Sequence, residues 1–436
     1  MNNCKKTVLA FGLLTSTIGI SPANAANIIL TDPTGSFAAA GAKGAAALTA
    51  FRKAANYWNA TLTNNVTINV EIGFASLGAG VLGSTGSSST GASVGSIYNA
   101  LRTTGTSALD AIASANLFPL NGNGSLKFTT NAPRFNNGTG AQPNATFVDN
   151  NNSVNNNIFD VNTANARALG LAVDGTGSCS TVSASADACI TFSNTFNFDF
   201  DPTNGLNAGS FDFVSVATHE LGHALGFVSG VDTYDFVAGS RTRDNLNNFR
   251  IFSVLDLYRY GTTIDAATGK TLLQLASNRA ARFSIDGVNT FNAGQTSVTA
   301  ATFATGRQTG DGQQASHFKD VAAGVRQIGI LDPTIGANQL GIVTSNDLAA
   351  FDAIGYNLGF DILANRGYTF SSAQIFALAG LANIGGAGAA LSFNPGTING
   401  LAAVPEPANW AMMIIGFGIA GAGVRRRKTS VRFAVS

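Results

Sequence analysis

Charge is what this 436-residue sequence lacks. Asp, Glu, Lys and Arg make up 11% of it, with a formal net charge of +1, whereas an ordinary soluble domain carries roughly 25% charged residues. A chain with no dominant basic or acidic field does not capture phosphate backbones, so nucleic-acid binding is excluded as its main activity. Cysteine is scarce as well: Cys4, Cys179 and Cys189 are all there is, too few for a cysteine-only metal site. Histidine and glutamate occur three times each, at His219, His223 and His317 and at Glu71, Glu220 and Glu406. The remainder is rich in Gly, Asn, Ser, Thr and Ala, with 50 glycines. Its polarity is therefore carried by uncharged side chains.

Both ends read as addresses rather than fold. Lys5 and Lys6, an apolar run from Val8 to about Ile20, and Ala23-Asn24-Ala25 form the three regions of a secretory signal peptide, expected over residues 1–25. At the other end, Pro405-Glu406-Pro407 precedes an apolar stretch from about Ala408 to Val424 and the basic cluster Arg425, Arg426, Arg427, Lys428. That stretch is at the short limit for a transmembrane helix, with the basic cluster on the cytoplasmic side. These residues closely resemble the PEP-CTERM sorting signal of Gram-negative bacteria, over 404–428. The resemblance implies recognition by an exosortase, membrane contact through the C-terminal helix before processing, and delivery to the cell surface or an extracellular matrix. A G-x-G-x-x-G match at Gly416–Gly421 falls inside the apolar run, without a βαβ unit around it, and is not a dinucleotide site. Without the two ends, 18 basic residues face 23 acidic ones, a net of −5. In an exported protein, Cys179 and Cys189, with nine residues between them, most simply close a disulfide.

Residues 26–360 read as one domain, with 361–403 a short helix and a Gly/Ala-rich stalk and 429–436 a tail. Ala47, Phe51, Ala54, Ala55 and Trp58 recur at helical spacing, which predicts a helix from Ala45 to about Leu62. Residues 66–72 alternate as a strand. Ser96 to Asn116 predicts a second helix, and 190–193 and 196–200 short strands. The Gly/Ser stretch 78–95 and the Asn-rich stretch 136–157 read as loops. Helices are expected from about Phe213 to Leu225, stopped by Gly226, from about Ser345 to Gly355, and from about Ser371 to Ala382. The fold class expected is α+β: a few helices on a small mixed sheet.

The chemistry lies in Thr218-His219-Glu220-Leu221-Gly222-His223-Ala224-Leu225-Gly226-Phe227. Positions i and i+4 of a helix share a face, so His219 and His223 can offer two imidazoles to one ion, and zinc is the usual partner of such a pair. Glu220 stands where a carboxylate takes a proton from a zinc-bound water. Val214, Ala217, Leu221 and Leu225 bury the opposite face. A catalytic zinc needs a third protein ligand and an open position. Six residues after His223 stands Ser229, a poor ligand; the remaining histidine, His317, is the expected third ligand, with Asp232 or Asp235 as the competing choice. Asp174, Asp199 and Asp201 could bind calcium, although lone aspartates in such loops are usually turn residues.

These motifs resemble zinc metalloproteases of the metzincin type. More narrowly they are similar to the leishmanolysin-like branch, in which a long insertion, here about 228–310, separates His-Glu-x-x-His-x-x-Gly-Phe from a Ser-His-aromatic triplet, here Ser316-His317-Phe318. Gly329–Thr334 corresponds to the family's Met-turn, with Leu331 in place of methionine, and Asn346–Tyr356 resembles its closing helix. The resemblance covers about 190–360 and implies a zincin-like domain, a zinc-dependent endopeptidase with Glu220 as general base and a protein or peptide substrate. Tyr356 is a candidate for oxyanion support. The alternative is a non-catalytic surface or matrix protein on a zincin scaffold.

Overall fold

The computed structural model describes residues 26–174, 179–180, 183–322 and 325–378. The expected signal peptide, stalk and C-terminal sorting signal lie outside the described residues. No helix among the described residues is long and apolar enough to cross a membrane.

Helix and sheet are mixed. The first long helix, Gly41–Thr61, buries Ala47, Ala50, Phe51, Ala54, Ala55 and Trp58 along one stripe, the 3.6-residue period of a core-facing helix. Trp58 donates its indole N–H to Thr218 O at 3.1 Å, tying this helix to the one that carries the His-Glu motif. Both pack on a four-stranded sheet in the order Asn27–Thr31, Thr67–Ala75, Ala188–Ser193, Gly83–Ser87. The first three strands are mutually parallel and the last is an antiparallel edge. In Thr67–Ala75, Ile68, Val70, Ile72 and Phe74 alternate into the core.

Several stretches depart from the expectation. Residues 78–95 contain two strands, Gly83–Ser87 and Ser89–Ser93. Their small residues serve close approach: a Cβ at Gly83 would stand 2.7 Å from Glu220 Oε1, and one at Gly91 would stand 2.6 Å from Arg250 Nη1. Residues 136–157 contain the strand Thr146–Asp149 and one helical turn, Val154–Asn157. Asn155 and Asn156 are buried there, bonded to Asp149 and Leu126 O. The single helix expected over 96–116 is two, Val94–Thr104 and Ala108–Ala115, the second begun by a capping box of Ser107 and Asp110.

The insertion at 228–310 is not ornamental. It supplies the helix Val231–Ser240 and four strands of a six-stranded sheet, in the order Thr302–Phe303, Ala281–Phe283, Arg259–Ile264, Thr271–Gln274, Phe128–Asn131, Thr146–Asp149. The boundary at 360 is also too early. Thr369–Ser371 pairs antiparallel with Ile342–Thr344, and the helix Ser372–Leu378 packs on Gly41–Thr61 and on the motif helix.

Candidate metal centre

The motif helix spans Phe213–Ala224. Asp212 caps it, accepting from Val214 N at 3.0 Å and Ser215 N at 3.3 Å. It ends as expected: Gly226 adopts φ 113°, a conformation that L side chains rarely take. Val214, Ala217, Leu221 and Leu225 are fully buried on the packing side.

The structure brings His219, His223 and His317 together. Their Nε2 atoms lie 3.0 Å (219 to 223), 3.1 Å (223 to 317) and 3.3 Å (219 to 317) apart. Each Nδ1 faces a backbone carbonyl: Ile330 O at 2.8 Å, Phe227 O at 2.8 Å and Gln314 O at 3.1 Å, respectively. A carbonyl only accepts, so each Nδ1 is the donor in these contacts; in the neutral ring of that tautomer it is Nε2 that offers a lone pair. Three lone pairs converging at this range repel one another unless they share a cation. Zinc held tetrahedrally at about 2.0–2.1 Å sets its ligand nitrogens about 3.3 Å apart, so the triad fits. Among the described residues this is the one group of three or more His, Cys, Asp or Glu whose ligand atoms all lie within 4.8 Å of one another.

Glu220 is buried, and its Oε2 accepts from Thr85 Oγ1 at 2.6 Å. Thr85 sits on the edge strand Gly83–Ser87, whose glycine leaves room for the carboxylate. Leu331 packs its methyl groups against Gly222, where a Cβ would lie 3.0 Å from both. An apolar side chain thus lies beneath the helical turn joining the two histidines. The turn around it hangs on two buried carboxylates. Asp332 accepts from Ile328 N and Gly329 N, and Asp347 from Ile330 N and Leu331 N. Burial pushes Asp332 well above the usual carboxylate range and Asp347 up to about 6, against hydrogen bonds that lower them. A cleft opens beside His219 and Glu220, walled by Val216, Ile330, Pro333 and Ile335.

Asp232 and Asp235 do not join the cluster. Asp232 accepts from Ala315 N, Ser316 N and Ser316 Oγ, and Asp235 from Gln308 N, Thr309 N and Thr309 Oγ1. Burial raises Asp232 to about 6, the Ser316 and Ala315 hydrogen bonds opposing it. Tyr356 is buried against Phe351 and does not line the cleft. Asp199 and Asp201 act in turns, accepting from Asp201 N and Asn207 N and from Thr203 N, while Asp174 N donates to Thr90 Oγ1 on the strand Ser89–Ser93. Cys179 and Cys189 form the expected disulfide.

Sequence reasoning missed Thr85, Asp332 and Asp347. Only Asp347 left a signal, as the third helical residue of a capping box begun by Thr344.

No curated protein and no solved structure matches the chain. One family pattern does, over residues 403–428. That segment is a PEP-CTERM protein-sorting motif, which implies export, processing by an exosortase and a cell-surface or extracellular location in a Gram-negative bacterium.

Proposed function

We propose that this chain is an exported zinc-dependent endopeptidase of the metzincin type, with His219, His223 and His317 as metal ligands and Glu220 as general base. The observation that carries the reading is the convergence of three Nε2 atoms whose Nδ1 atoms are all tied to carbonyls. Three ligands leave a position open, whereas structural zinc sites close with four. When bound, zinc lowers the pKa of a water to about 7 and polarises a substrate carbonyl. Glu220 would take a proton from the water as its oxygen bonds to the carbonyl carbon, and would return it to the amine nitrogen as the peptide C–N bond breaks. Thr85 holds the carboxylate for this step, since its hydroxyl donates to Oε2. The neighbouring strand Gly83–Ser87 is the edge of its sheet, a row of backbone groups to which an extended peptide can add.

The non-catalytic alternative gains nothing from these contacts. A structural zinc site needs no base, and Leu331, which stands where the resemblance has methionine, supports an apolar floor under the histidines.

The test is cleavage of an unfolded polypeptide by the mature secreted protein, by its chelator-stripped form with and without added zinc, and by His317→Ala. The reading expects activity to vanish on stripping and return with zinc, and His317→Ala to lose both zinc and activity. Full zinc occupancy in His317→Ala would remove His317 from the ligand set.

A further inference from the structure

His317 enters the cluster 94 residues after His223. One helix fixes the spacing of the other two ligands, but nothing local fixes the third. Its backbone surroundings do so instead. Asp232, on the helix Val231–Ser240, accepts from Ala315 N at 2.7 Å, Ser316 N at 3.1 Å and Ser316 Oγ at 2.5 Å. Ser316 Oγ accepts in turn from Ser229 N at 2.9 Å. On the other side of Ala315, its carbonyl accepts from Arg259 Nη1 at 3.3 Å, and Arg259 Nη2 donates to Ala304 O at 2.7 Å. Ala304 N then donates to His317 O at 3.1 Å.

Asp232 is 8% exposed and Arg259 1%. Burying ionisable groups costs several kcal/mol each by general estimate, and an apolar residue fills the same space more cheaply. An aliphatic side chain does not grip consecutive peptide N–H groups and a hydroxyl in one orientation, as a carboxylate does.

We propose that Asp232 is a positioning residue of the metal centre: by pinning Ala315 and Ser316 it presents His317 Nε2 to His219 and His223, while Arg259 holds the opposite side of the same residue. The proposal rests on the metal reading given above. It assigns the clamp to zinc affinity. A merely structural Asp232 would instead stabilise metal-free and metal-loaded protein alike and leave the affinity of the folded protein unchanged.

The experiment is a zinc titration of the metal-free mature protein against a chromophoric competitor, with a parallel Co(II) titration read by its visible absorption. Near-UV circular dichroism reports folding. Wild type should take up one equivalent. Asp232→Ala should bind zinc about 10–100-fold more weakly, as loss of a residue that orients a ligand typically does, with a Co(II) spectrum moved towards that of His317→Ala. Asp232→Asn keeps an acceptor for Ala315 N and should recover part of the loss. Ser316→Ala keeps both backbone bonds to Asp232 and should weaken binding by a smaller factor; it decides the matter if Asp232→Ala does not fold. A folded Asp232→Ala, or failing that Ser316→Ala, with wild-type affinity and spectrum would overturn the proposal alone. A wild type that binds no zinc, or a His317→Ala that binds as tightly as wild type, would overturn the metal reading and the proposal with it.

Discussion

Gly83→Ala separates the base from the rest of the site. Gly83 is buried on the edge strand, and an added Cβ would lie 2.7 Å from Glu220 Oε1, 3.0 Å from Glu220 Cγ and 3.0 Å from Val216 Cγ1. The nearest atom is the end of a side chain, so it is the carboxylate that gives way, by about half an ångström or more, straining its bond to Thr85. The cost in stability is modest. Overpacking costs about 1–3 kcal/mol, offset by about 0.5–1 kcal/mol from replacing glycine in a strand, for a net loss of about 0–2.5 kcal/mol. The cost in rate is larger, because a misplacement of about 1 Å in a catalytic group is worth about 10²-fold. None of these contacts involves a histidine, so zinc affinity should stay at the wild-type value. The assay is the cleavage rate of an unfolded polypeptide at measured zinc occupancy, with urea unfolding alongside. Gly86→Ala is the control, since its Cβ would meet only Cys179 Cβ at 3.6 Å, and it should cleave within about twofold of wild type by that ordinary contact. A Gly83→Ala protein with full zinc and the wild-type rate would refute the role assigned to Glu220.

Leu331→Met conserves volume and should cost less than about 1.5 kcal/mol with zinc uptake and cleavage retained, whereas Leu331→Ala opens the floor and should cost about 2–5 kcal/mol; urea unfolding and zinc titration check both. Burial, with Asp110 beside it, pushes Asp352 up to about 8, so the folded chain keeps a proton that the unfolded chain releases near pH 4. That contribution to stability is fully present below about pH 4 and is lost as pH rises through about 8. Asp352→Asn should therefore flatten the fall in stability over this window and add about 1–3 kcal/mol at pH 8, read by urea unfolding at pH 5 and pH 8; an unchanged slope would count against it. Removing the Cys179–Cys189 bond, a sequence separation of 10, should cost about 2.5–3 kcal/mol on the loop-entropy estimate, measured as unfolding with and without reductant.

The three histidines of the cluster were legible because histidine is so scarce: two of three fall at helical spacing, and the third had no other partner of its kind. The helices with regular apolar spacing were legible for the same physical reason that they form. The strand Gly83–Ser87 was not, because Gly, Ser and Thr give no apolar alternation. Pairing with Ala188–Ser193, a hundred residues away, specifies it, and Thr85 was lost with it. Asp232 illustrates a different failure. A carboxylate near a metal motif reads as a ligand, and only the fold shows that its oxygens hold the backbone before His317. The domain's end was misplaced because Thr369–Ser371 is too short to announce itself and pairs only in the folded chain.

The most direct test of the account is the rate at which zinc-loaded mature protein cleaves an unfolded polypeptide, compared between wild type and Glu220→Gln at equal zinc occupancy. The substitution keeps the side chain's size and an acceptor for Thr85 Oγ1 while removing the base. The account predicts one zinc in each protein and a rate lower by about 10²–10⁴-fold in the variant. Equal rates, or a wild-type protein that holds zinc and cleaves nothing, would contradict it.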